Sequence, residues 1–298
     1  MQSKVSATRG MVLSVLILGV NWPIMKLGLD LIPAFWMVSL RFALTAPFVA
    51  LFILLRHRRL PVLVRPDVPV IFGVALLQFS ALMGLVTLAL QFVPAGTASI
   101  LVYVTPLWLV VLDWLLNGQR PPGLRIGLSV LSALGCGTIV LASGAPGQWG
   151  PLAIILLAAM FWSLAIRQVS RHVWNGSVTD ALFWQCLLAG LVMAAVAWLA
   201  EGAPEQVSFS LRSLGFLMFI GPLASGLGFG LMVAAARSLS AGRVALISTA
   251  TPLIGFLTAS MLLNEPIQLP VVLGGSLMLL ALVLGARSVQ AQSSPVVK

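Results

Sequence analysis

Charge is what this chain has least of. Of its 298 residues only 8 % are charged, while 60 % are hydrophobic. A soluble domain carries roughly 25 % charged residues. So few charges cannot cover a water-facing surface without leaving very large apolar patches. A soluble globular enzyme and a disordered chain are both excluded. The mean hydropathy of +1.08 belongs to a protein whose solvent is lipid.

Cysteine and histidine are scarce as well, with two of each. Cys136 and Cys186 both lie inside apolar runs and read as small buried hydrophobes. They form neither a disulfide framework nor a metal site. His57 and His172 sit in separate basic loops without Cys or clustered carboxylate partners, so no zinc site is expected. No Gly-rich phosphate loop is present, which argues against a built-in nucleotide-driven pump. An intramembrane enzyme is the weakest alternative. Leu141-Ala142-Ser143-Gly144 and Leu223-Ala224-Ser225-Gly226 resemble protease serine surroundings, but no intramembrane histidine could activate either serine. The chain is therefore read as a non-enzyme that needs no cofactor.

Long apolar runs are abundant. A membrane-crossing helix needs about 20 mostly apolar residues. Reading between charged and Pro/Gly breaks gives ten spans, at about 11–31, 34–55, 68–90, 94–116, 122–142, 150–170, 178–200, 212–236, 242–263 and 269–287. The apolar stretch from 68 to 116 is too long for one crossing, and Pro94 marks its turn. Lys4 and Arg9 ahead of the first run mimic a signal peptide. That run continues through Asn21-Trp22-Pro23 with no small-residue cleavage site, so it is read as a retained span.

The formal charge is +10, which in a soluble protein would suggest nucleic-acid binding. Here the cations lie in the loops and report topology instead. With ten spans and a cytoplasmic N-terminus, fourteen of the 17 Lys and Arg residues fall inside, and only Arg212 falls outside. Lys26 and Arg41 fall within spans. This asymmetry supports number and orientation together, with both termini cytoplasmic.

The halves repeat. Ala95-Gly96 to Thr105-Pro106 returns as Ala241-Gly242 to Thr251-Pro252 at an offset of 146. Asn117 and Gly127 match Asn264 and Gly274 at 147, and Phe35-Trp36 has its counterpart in Phe183-Trp184. Five spans is an odd number, so the second copy enters the membrane from the opposite side. The expected fold is all-α and polytopic, with ten transmembrane helices as two inverted five-helix repeats. The first repeat covers 1–145, the second 146–289, and 290–298 form a polar cytoplasmic tail. In inverted-repeat transporters the substrate site usually lies near the midplane between the halves.

Buried polar groups in lipid are costly and usually face the bundle interior. Near mid-span stand Asn21, Trp22, Gln78, Tyr103, Thr105, Trp162, Ser163, Ser225 and Thr251. If their spans surround one space, they supply amide, hydroxyl and indole groups to a mostly apolar pocket for a small zwitterion or polar metabolite. Each could equally serve packing, since Ser and Thr often bond their own helix backbone. Lys26 and Arg41 are candidates for recognising a substrate charge, though Lys26 could instead snorkel. Arg41 lies about 10 Å from its span's outer end, at 1.5 Å per residue. It could attract a substrate carboxylate or pair with an acidic residue. Asp113, near the inner end of its span, is expected to meet a cytoplasmic arginine. Pro106 and Pro252 are repeat-related and are candidate hinges.

The ten spans, the Gly19-Val20-Asn21-Trp22-Pro23 to Lys26 stretch, Leu40-Arg41-Phe42, the two Thr-Pro pairs and Asn264-Glu265-Pro266 resemble the drug/metabolite transporter superfamily. Within it, the resemblance is to EamA-type bacterial exporters. One departure is Gly118-Gln119-Arg120, where these repeats usually carry Gly-Glu. The resemblance implies a secondary transporter that exports small metabolites, often amino acids or their derivatives. A channel or uncoupled facilitator is the alternative. The expected partners are a small-molecule substrate and the lipid bilayer, without nucleic acid. No carboxylate sits clearly at mid-membrane, so proton coupling has no obvious carrier. Protons as the coupling ion and the oligomeric state both stay open.

Overall fold

The computed structural model describes residues 4–118, 121–142, 149–207 and 210–293. Gln119, Arg120, Ser143, Gly144, Lys298 and the boundary between the expected repeats lie outside them. Ten helices in the described residues are long and apolar enough to cross a membrane. They are α1 (Val5–Gly28), α2 (Ala34–His57), α3 (Arg65–Leu90), α4 (Ala95–Asn117), α5 (Gly123–Ala142), α6 (Trp149–Ser170), α7 (Val178–Glu201), α8 (Leu211–Ala236), α9 (Gly242–Leu263) and α10 (Leu269–Ser288). Nine agree with the expected spans to within a few residues. The first is displaced: it begins well before residue 11 and ends at Gly28, three residues short of 31. There the backbone N–H groups of Leu31 and Ile32 close a turn on the Gly28 carbonyl, just ahead of Pro33.

The packing repeats itself between the halves. α1 packs on α8 and α9, and its repeat mate α6 packs on α3 and α4. α2 packs on α7 and α8, and correspondingly α7 packs on α2 and α3. The pairs α4–α9 and α5–α10 are their own mates. This exchange is what two inverted copies around one centre require. Gly135 and Gly274 let α5 and α10 touch, since a Cβ on either would overlap the other's backbone carbonyl. Small residues permit such approach where no hydrophobic effect drives helices together.

The helical irregularities also come in repeat-related pairs. α3 widens into π-helix at Ala75–Leu82, and α8 does so at Phe219–Gly228. α4 breaks at Tyr103 (φ −84°, ψ 15°) and α9 at Thr249. Both breaks lie three residues before a proline. Pro106 and Pro252 have no N–H for the carbonyls four residues earlier, so the helix loosens there. The helix irregularities beside the candidate hinges Pro106 and Pro252 thus fall at Val102–Val104 and at Thr249, just ahead of each proline.

Leu, Val and Phe side chains on the outward faces, such as Leu51, Phe52, Leu134 and Leu191, are more than half exposed, as the lipid solvent allows.

Candidate functional site

The two π-helical segments aim polar groups at the bundle centre. Each widened turn shifts the helix face by one residue, and such turns occur frequently at functional sites. Gln78 lies in the α3 segment and Ser225 in the α8 segment.

Between the halves is a cavity of about 170 Å³. Asn21 and Trp22 of α1, Arg41 of α2, Gln78 of α3, Tyr103 of α4, Trp162 of α6 and Thr251 of α9 all line it. Six of the nine expected binding residues therefore converge on one space, together with Arg41. The rings of Tyr103 and Trp162 meet edge to face at 5.3 Å and 82°. The remaining wall is apolar, with Leu18, Leu82, Val86 and Phe229.

Three expected residues do not face this cavity. Ser163 is fully buried and donates to the Ala159 carbonyl at 2.8 Å. Thr105 lines a different cavity of about 460 Å³ toward the Asp113 end of the bundle, together with Pro106. Ser225 is fully buried, and its hydroxyl accepts from Arg41 Nε at 2.6 Å and donates to the Ile220 carbonyl at 2.9 Å. The Ser163 and Ser225 hydroxyls are satisfied by carbonyls of their own helices, so mid-span position alone did not place them on the cavity.

Arg41 dominates the electrostatics. It is 1 % exposed. Its Nη1 reaches the thioether sulfurs of Met25 at 3.3 Å and Met83 at 3.6 Å, and its guanidinium lies 5.6 Å from the Phe42 ring centre. Among the described residues no carboxylate forms an ion pair with it. A buried cation without an anion carries a desolvation penalty of about several kcal/mol. Asn21 sits beside it: its Nδ2 contacts the same Met25 sulfur at 3.0 Å, and its buried Oδ1 has no hydrogen-bond partner. Two residues that line the cavity, joined through the Met25 sulfur, are thus a cation without an anion and an amide whose oxygen has no partner. Met25 and Met83 were missed at sequence level. Met25 could have been found one helical turn beyond Asn21, but thioethers carry no polar pattern.

The other ionisable groups serve the ends of the bundle. Lys26 turns away from the cavity, donating to the Val93 carbonyl at 2.7 Å and lying 3.8 Å from Glu265. Glu265 accepts from the backbone N–H groups of Ala95 at 2.7 Å and Gly96 at 2.9 Å, which caps α4. Glu201 accepts likewise from Phe35 and Trp36 at the start of α2. At the opposite end Asp113 meets Arg167 at 3.1 Å and Arg171 at 3.3 Å, the kind of pairing expected for it. Asp67 accepts from the Asn175 and Gly176 backbones and contacts His172 at 2.8 Å, which ties the α6–α7 loop to α3.

Known proteins resemble this chain over most of its length. The family model for EamA-like transporters matches twice, over residues 8–141 and 149–286. The chain is 24 % identical to the uncharacterized transporter YvbV of Bacillus subtilis, over 87 % of this chain and 85 % of that one. It is also 24 % identical to a probable amino-acid metabolite efflux pump of Escherichia coli, over 85 % of each chain. A solved crystal structure with 20 % identity covers 99 % of this chain and 100 % of its own, with a TM-score of 0.60, and so shares the fold. This multi-pass membrane protein belongs to the EamA-like transporter family.

Proposed function

We propose that the protein exports small amino-acid-like metabolites from the cytoplasm across the bacterial inner membrane by alternating access. The two repeats, 1–145 and 146–289, rock against each other about the central cavity. Bending at Tyr103 and Thr249 opens each face in turn. Both termini, with the 290–298 tail, are cytoplasmic, because that orientation puts the excess of Lys and Arg inside.

One observation carries this reading. The cavity wall holds a buried guanidinium without a carboxylate and, next to it, an amide oxygen without a donor. A substrate carboxylate at Arg41 and an ammonium or hydroxyl at Asn21 Oδ1 would satisfy both. Trp22, Trp162 and Tyr103 offer stacking faces for the substrate's apolar part. The volume of 170 Å³ is below the roughly 300–1,000 Å³ of pockets for drug-sized ligands, and so suits a small metabolite. The residues that line the cavity include no Asp or Glu, which favours exchange or facilitated efflux over coupling through a proton carried in the cavity.

Purified protein in liposomes, offered a panel of labelled amino acids and their derivatives, should show saturable flux with trans-stimulation for some of them. Non-saturable passage without trans-stimulation would make it a channel. An absence of flux across the panel would defeat the transport reading of this cavity.

A further inference from the structure

A second feature lies apart from the substrate cavity and shares no lining residue with it. Between α3 and α6 runs an open groove of about 650 Å³. Val70, Leu76, Leu77 and Leu164 line its length, and Arg167 and Arg171 stand at its end. Leu76 and the adjacent Phe72 are 43 % and 47 % exposed, so the groove opens on the lipid-facing side. Its depth depends on Gly73, where a Cβ would overlap the Gln168 side-chain amide; that amide donates to the Pro69 carbonyl at 3.1 Å.

The charge at the groove's end is unbalanced. Arg125, Arg167 and Arg171 converge on a single carboxylate, Asp113, at 4.0, 3.1 and 3.3 Å. The nearby carboxylate of Asp67 is already occupied by His172, Asn175 and Gly176. Three guanidiniums thus share one negative charge, and the Arg171 side chain is 51 % exposed. An apolar furrow facing lipid and ending in surplus positive charge complements an acyl chain that carries an anionic headgroup. Basic pockets between spans on the cytoplasmic side bind such headgroups.

The geometry points to a binding site for an anionic phospholipid in the α3–α6 groove, with its acyl chain along Val70, Leu76, Leu77 and Leu164 and its phosphate at Arg171 and Arg167. A zwitterionic lipid fits less well, because its ammonium adds positive charge where the arginines already supply it. The site also touches the transport machinery. Arg167 and Arg171 bond Asp113 and Asn117 of α4, so a headgroup draws on the same guanidiniums that clasp α4 to α6.

Native mass spectrometry of the full chain, released from bilayers of equal phosphatidylglycerol and phosphatidylcholine, tests this without any transport assay. Wild type should retain phosphatidylglycerol preferentially. Arg171→Gln should lower that retention about fivefold, the worth of one cation near an anionic surface. Arg171→Lys should largely keep it, and Arg212→Gln at the other end of the bundle should not change it. Inorganic phosphate should not reproduce the thermal stabilisation that phosphatidylglycerol gives to delipidated protein. Equal retention of the two lipids, undiminished retention in Arg171→Gln, or an equal loss in Arg212→Gln would overturn the proposal. Full stabilisation by phosphate alone would do so too, by making this a site for a free anion.

Discussion

Arg41 and Ser225 are 184 residues apart in the chain and 2.6 Å apart in space. The bond crosses from the first repeat to the second and holds in place Arg41, the one cation among the described residues that line the central cavity. Its acceptor lies in the π-helical segment of α8, and the Ser225 hydroxyl donates onward to Ile220 in the same segment. The widened turn therefore sets where the guanidinium points.

Ser225→Ala removes that acceptor and leaves Arg41 Nε with nothing to donate to. A hydrogen bond to a charged group contributes about 1.5–3 kcal/mol. The variant should express and insert, yet show a raised KM for transport by about tenfold or more. Ser225→Thr, which keeps the hydroxyl, should recover part of the loss. Flux against substrate concentration in liposomes separates this from a purely structural defect, which would lower the amount of active protein at unchanged KM.

Asn21→Ala and Gln78→Ala each delete a large polar group from the cavity wall. Transport should fall severalfold or more in both, with little change in expression. Normal transport by both variants would misplace the site.

Glu265→Gln weakens the charged cap on α4 and its pairing with Lys26. The expected destabilisation is about 1 kcal/mol, in the range of helix-cap losses. Lys26→Met should lose less. The double variant should lose less than the sum of the two, because the residues share one contact. Thermal melts of the four proteins in detergent read this directly.

Gly274→Val forces a branched side chain onto the Gly135 carbonyl where α5 crosses α10. Overpacking at such a crossing costs about 1–3 kcal/mol, and more when backbone has to move. At Gly123 an added Cβ meets nothing within 4 Å, so Gly123→Val serves as the control. The first should lower the melting temperature clearly and the second only slightly.

Much of this was legible beforehand, for definite reasons. Hydropathy marks spans because lipid leaves no other solution for a long apolar run. The first span was misplaced because its N-terminal turns carry Lys4 and Arg9, and because Leu29, Leu31 and Ile32 extend the apolar run past the helix end. Asn21, Gln78 and Tyr103 stood out because groups of that size are hard to satisfy within one helix. Thr105 and Ser163 misled because a small hydroxyl in mid-span finds a backbone carbonyl or a neighbouring space just as readily. Arg41 could be seen as an oddity, but its lack of an acidic partner is a fact of packing. The π-helical turns and the Met25 and Met83 sulfurs leave no periodic trace in the sequence.

The central claim is that Arg41 engages a substrate carboxylate. Counterflow into liposomes, with an amino acid that wild type carries and the same compound as its carboxamide, tests it most directly. Wild type should favour the carboxylate at least tenfold, and Arg41→Gln should abolish that preference while Arg41→Lys retains part of it. Equal transport of acid and amide by wild type, or an unchanged preference in Arg41→Gln, would contradict it.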